Sequence, residues 1–160
     1  YVAWAKLVPG VTRAWEYKWV PKVGFVTVLF MRDLDADPFP DANEVAEVQA
    51  MLEQFAPVIA PPPIAKAPEK LLLAMIVDLT IEDGAILADV RAGIYKAIRE
   101  MLLTRFEPMA VNGVLYRSWL TECISGVAGE LDHTLITPIG DYPVAAGFIP
   151  VLEDGAITWV

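Results

Sequence analysis

GFVTVLFMRDLDADPFPDANEVAEVQAMLEQF, residues 24–55, holds a strand, a polar loop and a capped helix in direct succession. Phe25 to Arg32 is apolar on both of its alternating faces, with Phe25, Thr27, Leu29 and Met31 against Val26, Val28 and Phe30. Such a pattern predicts a strand covered on both sides, because successive side chains point to opposite faces. Asp33 to Pro40 is a polar loop. Asp41 is placed to cap a helix, and Glu44 three positions later completes a capping box. Val45, Val48, Leu52 and Phe55 then recur as one apolar stripe, with Glu44, Glu47 and Glu53 on the other side, until Pro57 stops the helix.

Toward the N-terminus, Val11 to Trp19 alternates as a second strand. Val11, Arg13, Trp15, Tyr17 and Trp19 share one face, and Thr12, Ala14, Glu16 and Lys18 the other. The turn at Val20-Pro21-Lys22 makes the two strands a hairpin. Pro9-Gly10 ends a short helix over Val2 to Leu7. The chain opens at Tyr1, without a Met, in what reads as the tail of a helix, and a longer parent protein is expected.

Toward the C-terminus, Pro61, Pro62, Pro63 and Pro68 predict an edge strand or an extended connection, since proline donates nothing to a ladder. This is the expected division into two lobes, 1–68 and 69–160. The second lobe reads as a strand over Leu71 to Ile81, then a long helix from Ala85 to Arg105 capped by Asp83. That helix buries Leu87, Val90, Ile94, Ile98, Met101 and Leu102. A turn at Asn112-Gly113 follows, then a third helix through Trp119, Leu120, Cys123, Ile124 and Val127. Strands are expected over Leu131 to Thr137, Val144 to Phe148 and Ile157 to Val160. The fold class is α+β: two small α/β-sandwich lobes of antiparallel or mixed strands with three main helices.

Of 160 residues, 56% are hydrophobic, and mean hydropathy is +0.46, yet no apolar run approaches the roughly 20 residues of a spanning helix. Buried elements plus partner-facing surface account for the excess. The net charge of -9 opposes binding to nucleic acid and to anionic membranes. With one cysteine, Cys123, and one histidine, His133, there is no intrachain disulfide and no paired-histidine or cysteine-rich metal site.

Asp33, Asp35, Asp37, Asp41 and Glu44 fall at the oxygen-ligand positions of a calcium loop, but Pro38 stands where that loop needs its glycine. No metal is expected, and the acidic loop is read as partner-facing. Trp19, at the hairpin turn, is expected to be partly exposed, as contact tryptophans are. Asp132 beside His133 would be the starting point of a hydrolase, but neighbours on a strand point apart. Cys123 sits on an apolar stripe, where cysteine acts as a small hydrophobe. No catalytic residue and no cofactor are expected.

Val8-Pro9-Gly10-Val11-Thr12-Arg13-Ala14-Trp15 resembles the opening of the C-terminal region of baseplate J-like proteins from Mu-type contractile-tailed phages. Met31-Arg32-Asp33-Leu34-Asp35-Ala36-Asp37-Pro38-Phe39-Pro40-Asp41, continuing into Val45 to Gln49, is similar to that family's loop and helix. So are Ala128-Gly129-Glu130-Leu131-Asp132-His133 with Pro138, and the ending Gly155-Ala156-Ile157-Thr158-Trp159. Pro61-Pro62-Pro63, Lys66-Ala67-Pro68 and the turn at Lys18 to Lys22 depart from the family's pattern. The resemblance implies a wedge component of a tail baseplate, in a virion or a phage-derived contractile particle, assembled in the host bacterial cytoplasm. It implies oligomeric contacts with other copies and other wedge proteins, and no small-molecule substrate, nucleic acid or membrane. Trp19, Arg32, Asp33, Asp35 and Asp37 are the expected partner contacts. The alternative is a small-molecule-sensing α+β regulatory domain, which would need a pocket with convergent polar groups.

Overall fold

A computed structural model describes residues 1–18, 21–57, 60–108 and 113–160. The chain folds into two compact units, one built mainly on Tyr1–Glu69, the other beginning at Lys70 and including Lys70–Glu107 and Ile149–Val160. Ala146–Phe148 belongs with the first unit.

The first unit contains α1 (Val2–Ala5), β1 (Arg13–Lys18), β2 (Val26–Met31), α2 (Ala42–Phe55) and β3 (Ile64–Lys66). Its sheet has the order β1-β2-β3. The hairpin is antiparallel, with Trp15 opposite Leu29 and Ala14 opposite Phe30. The proline-rich connection then brings β3 alongside β2 in parallel, Val28 opposite Ala65. As the continuous apolar pattern requires, Val28, Leu29, Phe30 and Met31 are all buried. Ala5, Val8, Val28, Phe30, Val48, Leu52 and Ala65 form one core, which Trp4, Ala14 and Val45 border. Each large apolar side chain fully removed from water there contributes about 1.5–3 kcal/mol. Phe55, expected on the buried stripe, is 44% exposed, and its ring stacks on Trp4 at 5.6 Å.

Gln49 solves the polar problem of the edge strand. Its amide nitrogen donates to the Pro63 carbonyl at 2.8 Å, and its amide oxygen accepts from the Ala65 N–H at 2.7 Å. The outermost strand is thereby fastened to α2 where, among the described residues, no further strand pairs with it.

The rest of the chain forms β4 (Glu69–Leu72), β5 (Met75–Ile81), α3 (Leu87–Arg105), β6 (Gly113–Leu115), α4 (Arg117–Ser125), β7 (Glu130–Thr137), β8 (Tyr142–Val144), β9 (Phe148–Val151) and β10 (Ile157–Trp159). Its main sheet runs β10-β5-β7, with β10 parallel and β7 antiparallel to β5. Met75 and Val77 are buried while Asp78 and Thr80 are exposed, so one face of this sheet carries the core and the other is open. The helix stripe is as expected: Val90, Ile94, Ile98, Met101 and Leu102 are buried, although Leu87 at the first turn is 39% exposed.

Four expectations are corrected. Leu71 to Ile81 is two strands, because the chain leaves β4 at Leu73 and enters β5 at Met75. Asp83 does not cap α3. Gly84 adopts φ +87 in a turn closed by the Ala85 N–H to the Glu82 carbonyl, so the helix starts at Leu87 with Ile86 at the cap and no side-chain cap bond. Val144 to Phe148 is likewise split, into β8 and β9 around Gly147 at φ +81. Gly113, read as turn, opens β6, which pairs with β8.

Candidate functional site

The two stretches that define the first unit's signature, Pro9 to Arg13 and Met31 to Glu44, are far apart in sequence and meet in space. Arg13 grips Asp33 with both prongs: Nε donates to Oδ2 at 2.8 Å and a terminal nitrogen to Oδ1 at 2.7 Å. The Thr12 hydroxyl donates to Asp33 Oδ2 at 2.5 Å and accepts the Asp33 N–H at 3.0 Å. Burial alone would raise the Asp33 carboxyl, but the hydrogen bonds from Arg13 and Thr12 and the Arg13 charge together hold it below the usual carboxylate range.

Arg32 makes the second tie. Its Nε reaches Asp35 and also Glu44 Oε1 at 2.9 Å, while a terminal nitrogen donates to the Pro9 carbonyl at 2.9 Å. Gly10 lies against this guanidinium with φ +91, and a Cβ there would collide with it. Only glycine satisfies both the backbone angle and the close approach.

Glu44 couples the loop to α2. One oxygen faces Arg32; the other accepts the Asp41 N–H at 2.8 Å. Asp41 in turn accepts from the N–H groups of Asn43 and Glu44, at 2.8 and 2.9 Å, completing the expected capping box. Asp37 accepts the Phe39 N–H at 3.1 Å. The loop backbone is closed by the Arg32 N–H to the Pro38 carbonyl and the Asp35 N–H to the Arg32 carbonyl. The carboxylates at calcium-loop positions are therefore engaged with guanidinium groups and backbone N–H groups of the same unit.

Arg32, Asp33 and Asp35, expected as partner contacts, thus point into their own fold as well as toward the surface. Asp37 is exposed. Trp19 lies outside the described residues. The loop residue that sequence reasoning missed is Leu34, 87% exposed between Asp33 and Asp35. A lone leucine amid aspartates carries no periodic signal, and its exposure follows only from the ties on either side.

Elsewhere, the structure separates Asp132 from His133. Asp132 lies exposed on the open sheet face, whereas His133 Nδ1 contacts Glu130 Oε1 at 2.9 Å in a largely buried pair. Burial pushes the Cys123 thiol up, away from the reactive thiolate. No helix among the described residues is long and apolar enough to cross a membrane.

The stretch holding these ties has a counterpart among known proteins: the baseplate J-like central domain matches residues 1–61. These residues belong to the baseplate J-like family. Two relatives extend the likeness past this baseplate J-like unit. A protein named JayE of Escherichia coli (strain K12) is 32% identical over 99% of this chain. The Mu-like prophage FluMu protein gp47 of Haemophilus influenzae is 29% identical over 100% of it. The chain spans 57% and 45% of those two proteins, about half the length of each.

Proposed function

We propose that this baseplate J-like chain is a structural piece of a contractile phage tail baseplate, working through protein–protein contacts. The match of residues 1–61 to the baseplate J-like central domain carries this reading. Likeness to a Mu-like prophage protein over the whole chain supports it. Its place is the baseplate of a virion or a phage-derived contractile particle, assembled in the host cytoplasm. Its partners are other wedge proteins and other copies of itself, met by two lobes, 1–68 and 69–160.

Within the first lobe the contact surface is the loop after β2. Arg32, Asp33 and Asp35 tie that loop at its base, so that Leu34 and Asp37 are presented in one fixed geometry. A preorganised apolar tip flanked by carboxylates loses little conformational entropy on docking, and its charge selects a basic partner surface. Trp19, which follows β1 at the end of the hairpin away from this loop, is proposed as a separate contact. This role has no catalytic step, and His133 is a structural partner of Glu130.

The test is complementation of a tail-assembly defect by the full-length protein carrying Leu34→Ser with Asp37→Lys. Fewer complete baseplates, with unchanged thermal unfolding of the 160-residue chain, is the expected result. Normal numbers of functional tails would remove the loop from the contact surface.

A further inference from the structure

Arg91 stands out by what it lacks. Among the described residues, Arg13, Arg32, Arg99 and Arg105 each have a carboxylate within ion-pair distance, and Arg117 donates to the carbonyls of Leu135 and Pro138. Arg91 has no such partner, and its Nε is enclosed without any acceptor. Its guanidinium instead lies over the Trp159 ring at 5.0 Å. Trp159 meets Tyr95 edge-on at 6.3 Å, and Arg99 lies over Tyr95 at 5.3 Å. The result is a ladder, Arg91–Trp159–Tyr95–Arg99, across α3 and β10, with all four side chains only partly covered. Arginine, tryptophan and tyrosine are the residues that dominate contact energetics. Beside the ladder, Ala92, Lys96, Glu100 and Leu103 help line an open groove of about 580 Å³. Lys96 is exposed there, again without a carboxylate partner among the described residues. Among the described residues the acid bound to the ladder is Asp154 on Arg99, which is 96% exposed and easily exchanged for another.

The opposite charge is found on another surface of the same unit. The open face of the β10-β5-β7 sheet presents Asp78 and Asp132, both exposed and neither in an ion pair among the described residues. Asp78 pairs across the strands with Thr134, and Thr80 with Asp132, so the two carboxylates are diagonal neighbours on one face. We propose that the Arg91–Trp159–Tyr95–Arg99 ladder of one copy docks on the Asp78/Asp132 sheet face of a second copy. Like charge repels two chains of net charge -9 everywhere except where a cationic patch meets an acidic one. Because two different surfaces meet, the contact is head-to-tail, the type that builds rings or open arrays instead of closed pairs. The proposal rests on the self-contact part of the baseplate reading.

Sedimentation equilibrium of the 160-residue chain at low salt tests it. Wild type associates with rising concentration, and added salt weakens the association. Arg91→Glu and Asp132→Arg each weaken it about ten-fold or more. Lys6→Glu, which changes net charge as Arg91→Glu does but in the first unit, leaves it unchanged. Mixing Arg91→Glu with Asp132→Arg restores one interface, because the first keeps its acidic face and the second its ladder, and gives a heterodimer that stops there. Lys96→Glu replaces Arg91→Glu should the latter unfold. A monomeric wild type, equal weakening by Lys6→Glu, or no heterodimer on mixing overturns the proposal. Label at the tail tip from a monomeric chain would reject this surface and keep the baseplate reading. Ladder-dependent association without such label would do the reverse.

Discussion

Asp33 decides how the signature loop is held, and it does so through partners about twenty residues away. Replacing it with Asn removes the charge that Arg13 grips and leaves that guanidinium half-buried, at a cost of about 1–3 kcal/mol. Urea unfolding with an unchanged slope and a lower midpoint checks this. The pH dependence has a definite sign. The folded carboxyl is held low, so its stabilising contribution is complete above the unfolded value near 4 and is lost as pH falls through the folded one. As pH falls below about 4, wild type should lose stability more steeply than Asp33→Asn. Gly10→Ala introduces a Cβ at φ +91 against the Arg32 guanidinium and should cost at least about 1 kcal/mol. At this scale the sequence was half legible. The spacing of the aspartates marked a polar loop, read as partner-facing, but alternate carboxylates look the same whether they await a partner or bind Arg13 and Arg32. The decision lies in the hairpin register, which brings Arg13 opposite Met31 and so beside Asp33.

Elements with strong local chemistry could be read directly, and those shaped by contacts could not. The α2 helix is specified by Asp41 and Glu44 at its start and by Val48 and Leu52 on its buried side. Asp41→Ala should therefore cost about 1 kcal/mol and speed hydrogen exchange mainly in the first turn. Leu52→Ala removes a side chain with no exposed surface and should cost about 2–5 kcal/mol in calorimetry. The hairpin was equally plain, because β2 is apolar at every position except Thr27. By contrast, the break at Leu73 and Ala74 leaves no mark, since both residues are as apolar as the flanking Leu71, Leu72, Met75 and Ile76. Asp83 looked like a cap, but Gly84 at positive φ turns the chain away before the helix begins. The three-residue strand β6 is too short to show a period, and pairing with β8 defines it. The ladder of Arg91, Trp159, Tyr95 and Arg99 joins residues more than sixty positions apart, beyond the reach of any local pattern.

For the whole molecule, the proposed role is that of a building piece: the chain is acidic and apolar-rich, folds into two compact units, and matches the baseplate J-like central domain over residues 1–61. His133→Ala should remove the Glu130 contact with a modest loss of stability and leave tail assembly intact; loss of a measurable enzymatic activity would instead point to catalysis. The measurement that bears most directly on the proposed role is immunogold electron microscopy of contractile-tail particles, made by the bacterium carrying this gene, with antibody raised to the 160-residue chain. Label confined to the baseplate end of the tail is the expected result. Intact particles with accessible baseplates and no label there, while the same antibody binds the free protein, would contradict a baseplate role.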